Sequence, residues 1–240
     1  MPDLLALRGV HTHIGHYHIL QGVDFAVARG ELTMLLGRNG AGKTTCLRTI
    51  MGLWRASGGA IDFDGRDIAR LPTPSVANLG IGYVPESMGI FAGLTVRENL
   101  LLAAKSGPLD DARLEWIFRY FEALKKFWNL PAGNLSGGQK QMLAIARAIV
   151  EPRKLVLVDE PTKGLAPSII NNLIAAFAEL KKTDTTILMV EQNFHAARSL
   201  GDSVAVMDAG RIVHTGRMAD LAADEALQNR LLGLSLEAHQ

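Results

Sequence analysis

The sequence contains a single cysteine, Cys46, and its two charge signs are almost balanced, with 25 basic against 24 acidic side chains. One cysteine cannot form an internal disulfide, which favours a reducing compartment over a secreted, disulfide-stabilised fold. A net charge of +1 supplies neither the basic surface of a nucleic-acid-binding protein nor a polybasic membrane patch. The composition therefore argues against both of these classes.

Long apolar runs are also lacking. No run approaches the ~18 residues of a membrane span, and the first residues carry neither the basic nor the apolar region of a signal peptide. We therefore expect a cytosolic protein, and any role at a membrane would come through a partner. With 240 residues, of which 48% are apolar and 20% charged, the chain can bury the core of one globular domain.

Residues 37–45 fit the phosphate-loop pattern Gly-x-x-x-x-Gly-Lys-[Ser/Thr]. The loop follows an apolar run at residues 32–36 that predicts a strand, and it opens a helix predicted over residues 43–53. The unpaired N–H groups and positive dipole end of such a helix favour a bound phosphate. We expect nine residues to hold a nucleotide: Gly37, Arg38, Asn39, Gly40, Ala41, Gly42, Lys43, Thr44 and Thr45.

The loop residues have distinct predicted roles. Gly40 and Gly42 let the backbone wrap around the anion, and Lys43 places a point charge on the β- and γ-phosphates. The Thr44 hydroxyl can ligate Mg²⁺, and Thr45 can contact the α-phosphate side. A glycine-rich turn without a ligand is the alternative, but the strand before the loop and the helix after it favour a nucleotide site.

Short strands are predicted at residues 4–8 and 22–27, and a hairpin is predicted to turn at Asp64-Gly65, which together indicate a small antiparallel sheet. The connection between the first two strands carries four histidines: His11, His13, His16 and His18. A metal site is one interpretation, but no Cys or carboxylate nearby completes it. Solvated histidines, or histidines at the edge of a nucleotide base, are the favoured alternative.

Residues 95–150 have helical periodicity, and one long helix is predicted over residues 114–128. Its apolar stripe consists of Trp116, Ile117, Tyr120, Phe121 and Leu124. We expect this stripe to pack in the core, while an exposed part of it could dock a partner's helix. A Ser-Gly-Gly turn then opens a helix at residues 140–150 and offers a second anion site, with an ordinary helix cap as the alternative.

Carboxylates follow two predicted strands. A short strand is predicted at residues 81–86, where Pro85 interrupts the strand pairing and Glu86 stands at the end. A buried parallel strand is predicted at residues 155–158, directly before Asp159-Glu160. Ligands bind at such carboxyl ends, and successive side chains point opposite ways. Asp159 can therefore reach the Mg²⁺ shell, while Glu160 can orient or deprotonate a water attacking the γ-phosphate. A salt-bridged surface pair is the alternative.

In the last third of the chain, predicted helices and strands alternate. A helix is predicted over residues 168–182 with Ser168 as its cap, followed by a strand at residues 185–190 that presents Glu191 and Gln192. A short helix at residues 194–200 and a hairpin around Ala209-Gly210 come next. A helix over residues 220–234 is predicted to close the chain.

The phosphate loop, residues 135–139 and residues 155–160, in this order and spacing, closely resemble an ATP-binding-cassette ATPase, and the resemblance covers nearly the whole chain. It implies an α/β P-loop NTPase fold in a single domain of residues 1–240, with a RecA-like core, an antiparallel β-subdomain and a helical subdomain at residues 87–150. It also implies ATP and Mg²⁺ as ligands. Two ATPase subunits would face each other head to tail, so that ATP on one subunit is closed by the signature residues of the other: Ser136, Gly137, Gly138 and Gln139.

Finer features resemble the ATPases of branched-chain amino-acid importers and of their urea and short-chain amide relatives. Glu86 stands where most cassettes have Gln, at the loop that senses metal and contacts the permease. Gln192 stands where most have the switch histidine, and residues 164–167 replace the usual Leu-Asp loop, while residues 135–147 match the subfamily almost throughout. The resemblance implies Glu160, Gln192 and Lys43 as catalytic residues, with Thr44, Glu86 and Asp159 at the metal.

The resemblance further implies two membrane permease subunits, a second ATPase subunit forming a heterodimer or a homodimer, and indirectly a solute-binding protein. The chain would lie at the inner face of the cell membrane and would not bind nucleic acid. A non-transport cassette acting on ribosomes or DNA is the alternative, but such proteins usually join two cassettes or insert a long coiled coil. A free-standing kinase would leave the Ser-Gly-Gly signature unexplained.

At two positions, a residue that differs from the usual one in the family changes the expected chemistry of the site. A glutamine amide at Gln192 can donate to the γ-phosphate but does not titrate near neutral pH, so we expect it to position phosphate without acting as an acid. Ile14 replaces the aromatic residue that should stack on adenine, counting back from Leu20-Gln21-Gly22. Tyr17 or His13 could substitute for it.

Overall fold

The structure, a computed structural model, describes residues 2–104 and 107–233. The strands in these ranges are β1 (Asp3–Ile14), β2 (Tyr17–Ala28), β3 (Leu32–Leu36), β4 (Ala56–Phe63), β5 (Arg66–Asp67), β6 (Ile81–Val84), β7 (Leu155–Asp159), β8 (Thr186–Val190), β9 (Ser203–Asp208) and β10 (Arg211–Arg217). The α-helices are α1 (Lys43–Ile50), α2 (Thr73–Asn78), α3 (Val96–Leu101), α4 (Asp111–Tyr120), α5 (Glu122–Lys126), α6 (Gly137–Ile149), α7 (Pro167–Leu180), α8 (Phe194–Leu200), α9 (Met218–Ala223) and α10 (Glu225–Leu232).

A six-stranded sheet in the order β10-β9-β3-β8-β7-β6 forms the middle layer. Its strands run parallel except for β10, which pairs antiparallel with β9. Every residue of β3, β7 and β8 is buried, as expected for a parallel sheet covered on both faces. The carboxyl ends of these three strands therefore meet at one edge, where the predicted functional residues follow them.

The two faces of this sheet pack into two separate cores. Leu32, Met34 and Leu36 belong to the core shared with α3 to α7, whereas Leu35 belongs to the core formed with α1 and the second sheet. This division follows from the alternation of side chains along a strand. Burying one such leucine contributes roughly 1.5–3 kcal/mol to folding, so both layers hold the site-bearing edge in place. The α/β P-loop NTPase prediction is confirmed.

The second sheet is antiparallel, with the strand order β2-β1-β4-β5. The two short strands predicted at residues 4–8 and 22–27 are wrong in extent, because each is part of a 12-residue strand. Cross-strand pairing extends to Ile14 and Tyr17, and the turn closes with Gly15 at φ +60°. The predicted Asp64-Gly65 turn is confirmed, with both residues at positive φ as a two-residue hairpin of this kind requires.

The helix predicted over residues 114–128 is instead two helices, α4 and α5. The break falls at Phe121, whose backbone (φ −123°, ψ 58°) leaves the helical region while its side chain is fully buried. Core packing thus overrides helical periodicity at this point. Ile117 and Leu124 are buried in the same core, whereas Trp116 and Tyr120 are half-buried. The division of residues 87–150 into a subdomain stays a prediction.

Two further helix predictions are wrong in detail. Ser168 does not cap α7, because the helix begins at Pro167 with Ala166 in the capping position. Proline suits the first helical position, where its missing N–H would be unpaired anyway. The closing helix is divided into α9 and α10, because the Asp224 side chain accepts a hydrogen bond from the N–H of Leu227 (2.8 Å) and starts a new helix. Leu234, its predicted end, lies outside the described residues.

Across the described ranges, each helix is too short or too polar to cross a membrane.

Candidate functional site

The phosphate loop joins β3 to α1 and is held against β9. Gly37 has φ +144°, and a Cβ there would lie 2.1 Å from the carbonyl oxygen of Met207, so only glycine fits this approach. Gly40 and Gly42 also have positive φ, at +80° and +108°. The N–H of Gly210 donates to the carbonyl of Ala41 (2.9 Å). The loop is therefore shaped by its glycines and fastened to the β9–β10 turn.

Lys43, the first residue of α1, points back into the loop. Its Nζ donates hydrogen bonds to the carbonyl oxygens of Gly37 (2.8 Å) and Arg38 (3.0 Å). Burial lowers the pKa of Lys43, and the nearby carboxylates of Glu160 and Asp159 oppose this shift. The loop thus holds an ammonium group where its backbone curves. Thr45 lies half-buried in the same helical turn as Thr44.

Asp159, at the end of β7, is fully buried and joins two elements. It accepts hydrogen bonds from the Thr44 hydroxyl (3.0 Å, to Oδ1) and from the Tyr83 hydroxyl (3.4 Å, to Oδ2). Burial raises the pKa of Asp159, and the charges of Glu160 and Glu86 add to that shift while the Thr44 bond opposes it. Tyr83 was missed by the sequence analysis; its position two residues before Pro85, on the strand beside β7, is the signal that could have found it.

The side chains around Asp159 fit Mg²⁺ as part of a shared site. A hydroxyl and carboxylates are hard oxygen donors, which Mg²⁺ prefers, and Mg²⁺ in nucleotide enzymes is usually held by one or two carboxylates together with substrate phosphates. Within residues 2–104 and 107–233, no group of three or more His, Cys, Asp or Glu side chains is arranged to hold a metal ion. Oxygens of a bound nucleotide would complete the coordination of a divalent ion here.

Glu160 follows Asp159 but faces another way, because its backbone adopts φ +49°. Its Oε1 accepts a hydrogen bond from the side-chain amide of Gln192. Its Oε2 is buried and has no hydrogen-bond partner, although Lys163 Nζ lies 3.4 Å from it. A buried carboxylate oxygen without a hydrogen bond is costly, and a hydrogen bond from a substrate water would offset that cost.

Glu191 connects the two loops that carry Glu160 and Gln192. Its buried carboxylate accepts hydrogen bonds from the N–H (3.2 Å) and hydroxyl (3.0 Å) of Thr162, and from the N–H groups of Gln192 (3.0 Å) and Asn193 (3.1 Å). Burial raises the pKa of Glu191, and these hydrogen bonds oppose the shift. The sequence analysis assigned it no role, although a carboxylate directly after a fully apolar strand is a signal.

Glu86 lies beside the same edge of the sheet, after β6. Its Oε1 is 2.7 Å from Nζ of Lys163, which belongs to the turn between β7 and α7. The same Nζ lies 3.4 Å from Oε2 of Glu160, so Glu86 and Glu160 share one region. The sequence analysis assigned no role to Lys163, and no local pattern marks it.

The signature residues lie at the start of α6. The Ser136 hydroxyl accepts a hydrogen bond from the N–H of Gln139 (3.4 Å), and the Gln139 side chain accepts one from the N–H of Ser136 (2.9 Å), which forms a capping box. The side-chain oxygen of Gln139 is therefore already hydrogen-bonded within its own helix. Neither residue lines the cavity of about 300 Å³ at the phosphate loop, which is formed by residues 36–39, Glu191, Gln192, Phe194 and the end of α10.

The end of the β1–β2 hairpin lies beside the phosphate loop, since a Cβ at Gly42 would lie 3.2 Å from Leu20 of β2. Tyr17 is 76% exposed and pairs with Ile14 across the turn. His13 is already engaged, because its ring stacks on His18 at 4.1 Å and its Nδ1 hydrogen-bonds the Ser57 hydroxyl (3.0 Å). Tyr17 is therefore the freer of the two predicted substitutes.

Three of the four histidines stack, with the ring of His18 against those of His11 and His13. The ring centroids of His11 and His18 are 5.1 Å apart, and Nδ1 of His11 lies 3.0 Å from Nε2 of His18. Loss of hydration lowers the pKa of His18, followed in size by the charges of His13 and His11. The metal-site interpretation gains no support from this arrangement.

Comparison with known proteins gives concordant matches. A family model described as ABC transporter matches residues 20–163. The chain is 36% identical over 232 residues to the high-affinity branched-chain amino acid transport ATP-binding protein BraG of Pseudomonas aeruginosa, covering 96% of this chain and 100% of that protein. It is 34% identical to the probable branched-chain amino acid transport ATP-binding protein LivF of Archaeoglobus fulgidus, covering 95% and 99% of the two chains.

Solved structures give the same fold. The structure of an ATP-binding subunit of an ABC transporter has a TM-score of 0.80 and 31% identity, covering 98% of this chain and 96% of that one. An ATP-binding cassette of an ABC transporter in its ADP conformation has a TM-score of 0.78 and 28% identity, covering 95% and 97%.

Proposed function

Because this chain belongs to the ABC transporter family, whose ATP-binding subunits hydrolyse ATP, we propose that it powers the import of branched-chain amino acids or of related amino acids and amides. The observation that carries the substrate class is the match to BraG over 96% of this chain and all of BraG. The substrate itself would be bound by other subunits.

Nucleotide binding is assigned to the phosphate loop. Its backbone N–H groups and the helix dipole of α1 would hold the phosphates, and Lys43 would exchange its two carbonyl partners for phosphate oxygens. Thr44 and Asp159 would hold Mg²⁺ together with the nucleotide, and Glu86 would contribute from the adjacent loop. Bound Mg²⁺ would neutralise charge that develops on the phosphates. Tyr17 would stack on the base in place of Ile14.

Hydrolysis is assigned to Glu160 and Gln192. Oε2 of Glu160, which has no hydrogen-bond partner, would orient a water and accept its proton, while Gln192 fixes the carboxylate through Oε1. The Gln192 amide would also donate to the γ-phosphate. Because an amide does not titrate near neutral pH, Gln192 would act by position and not as an acid.

A second ATPase subunit is part of the proposal. Within one chain, the signature residues Ser136 and Gln139 line a different cavity from the phosphate loop, so a nucleotide bound at the loop would lack them. A facing subunit would supply them across the interface. The Ser136 hydroxyl would then donate its hydrogen outward, since its oxygen already accepts the N–H of Gln139. A single subunit is expected to hydrolyse ATP slowly.

A groove beside Glu86 is the proposed contact site for the permease. A cavity of about 350 Å³ lies between the end of β6 and α6 and includes Pro85, Met88 and Arg147. The guanidinium of Arg147 stacks over the ring of Phe91 at 4.8 Å, and Phe91 is 48% exposed. An apolar groove with a cation at its edge suits a helix of a membrane permease. The chain would lie on the inner membrane face, bound to two permease subunits that work with a solute-binding protein.

The test is to tag the chain, extract it gently from native membranes and identify the proteins that co-purify. Two polytopic proteins and a second cassette ATPase support the importer. Uptake of radiolabelled leucine is then measured in cells that lack the chain, complemented with wild type or with Glu160→Gln. Restoration by wild type only supports the proposal. Purification of the chain alone or with ribosomes would refute the transport role while leaving the ATPase assignment intact.

A further inference from the structure

Lys163 joins two carboxylates that belong to different parts of the site. Its Nζ lies 2.7 Å from Oε1 of Glu86 and 3.4 Å from Oε2 of Glu160. Glu86 follows β6 and lies between Pro85 and Met88, which line the groove assigned to the permease. Glu160 follows Asp159, which accepts a hydrogen bond from Thr44 of the phosphate loop. The lysine is therefore a direct ionic connection between the two regions.

The turn that carries Lys163 is held in place by its backbone. The N–H of Lys163 donates to the carbonyl of Glu160 (3.3 Å), and the N–H of Leu165 donates to that of Thr162 (3.2 Å). Thr162 is fastened to the buried Glu191 by two hydrogen bonds. Because the backbone is fixed, the reach of the lysine side chain toward Glu86 depends on where the Glu86 loop lies.

The exposures of the three side chains show where this connection has its effect. Lys163 is 60% exposed and Glu86 is 40% exposed, so their ion pair contributes little to stability. Glu160 is 9% exposed, and its Oε2 lacks a hydrogen-bond partner. Glu160 is thus the less solvated of the two carboxylates that contact Lys163, and it is the one proposed to act on the substrate water. Electrostatic attraction to Lys163 is less screened there.

We propose that Lys163 is a positioning residue that transmits the position of the Glu86 loop to the carboxylate of Glu160. A shift of Glu86 on permease engagement would draw the lysine with it and reorient Oε2 toward or away from the attacking water. This inference rests on the proposed function, because it takes Glu160 as the base and the Glu86 groove as the permease contact. Misplacement of a catalytic group by about 1 Å can cost on the order of 100-fold in rate.

The test compares Lys163→Met, which keeps an unbranched side chain of similar length but removes its charge, with Lys163→Arg, which keeps the charge. Lys182→Met is the matched control, because Lys182 also forms an exposed ion pair, with Glu179 at 2.5 Å, at the far end of α7. The kcat and KM for ATP and the melting temperature are measured for the transporter assembled with each full-length chain. We expect Lys163→Met to lower kcat about 10-fold with KM and melting temperature unchanged, and Lys163→Arg to restore most of kcat.

The outcomes separate this inference from the proposed function. If the wild-type assembly does not hydrolyse ATP, the proposed function fails. If wild type hydrolyses ATP and Lys163→Met has the same kcat, raises KM instead, or is matched by Lys182→Met, the positioning role of Lys163 is wrong and the ATPase assignment stands. Equal losses in Lys163→Met and Lys163→Arg would also overturn it, because the charge would then be irrelevant.

A double-mutant cycle with Glu86→Gln tests the connection itself. If the bridge transmits position, Glu86→Gln lowers kcat, and the double variant Glu86→Gln/Lys163→Met is no slower than the slower of the single variants. Losses that multiply would show that the two residues act independently, and the proposed connection would be withdrawn.

Discussion

The side-chain amide of Gln192 donates a hydrogen bond to Oε1 of Glu160, which leaves Oε2 of that carboxylate buried without a hydrogen-bond partner. The two residues are 32 positions apart and follow neighbouring parallel strands, β7 and β8. A carboxylate with one oxygen held by a hydrogen bond, and with only the Lys163 ammonium at 3.4 Å from the other, has a fixed direction for accepting a proton. This arrangement is the basis for the first two predictions.

Glu160→Gln is expected to keep ATP binding and to lower turnover by about 10²–10⁴-fold, because the amide cannot accept a proton from water. The variant should also accumulate as a nucleotide-bound dimer. Nucleotide binding is measured with a fluorescent ATP analogue, turnover by phosphate release, and the dimer by size-exclusion chromatography. Steady-state hydrolysis at the wild-type rate would remove Glu160 from the role of base.

Gln192→Ala is expected to lower kcat by about 10²-fold, as for removal of one preorganised donor. The melting temperature should be unchanged, because the Gln192 side chain is exposed. Gln192→His is the informative companion, since it should introduce a dependence of kcat on pH near 6.5 that wild type lacks. Turnover of Gln192→Ala equal to that of wild type would refute the positioning role.

Tyr17→Ala is expected to raise the KM for ATP about 10-fold with kcat unchanged, because stacking on a base contributes ~1–3 kcal/mol. Ile14→Ala and His13→Ala serve as controls at the two other residues considered for this contact. Their KM values should stay within about twofold of wild type, well below the effect of one lost stack. A larger effect at His13 than at Tyr17 would reverse the assignment.

Gly37→Ala should destabilise the chain by about 3 kcal/mol or more and abolish nucleotide binding, because the new Cβ would overlap the Met207 carbonyl oxygen. Gly40→Ala is the matched control. Gly40 also has positive φ, but nothing lies within 4 Å of a Cβ there, so only a strain of about 1–2 kcal/mol is expected. Urea denaturation followed by circular dichroism measures both, and equal losses would contradict the steric account.

Glu191→Gln tests the pH dependence of stability. Burial raises the folded-state pKa of Glu191 above its unfolded value, so wild type loses stability relative to the variant as pH rises from about 4.3 through the raised pKa. We expect similar melting temperatures at pH 4 and a higher melting temperature for Glu191→Gln than for wild type at pH 8. A difference independent of pH would contradict this.

The elements of the candidate nucleotide site could be predicted because their signals are local. The phosphate loop, Asp159-Glu160 and Gln192 each follow a short apolar strand, and parallel strands bring their carboxyl ends to one edge. The positions of the predicted strands were therefore enough to predict that residues more than a hundred positions apart, such as Thr44 and Asp159, lie together. The same local information failed where packing decided the backbone, as at Phe121, where a buried side chain interrupts a periodic helix.

The sequence by itself determined the fold class, the family and the residues proposed to bind and hydrolyse ATP. Only the tertiary structure decided how these residues are held: Tyr83 against Asp159, Glu191 against Thr162, and Lys163 between Glu86 and Glu160. Lys163 and Glu160 are three residues apart in one turn, but the other partners come from different strands or loops, at separations that no short motif records. Their contacts arise because packing of the sheet and its loops fixes the distances between side chains, which a linear pattern does not contain.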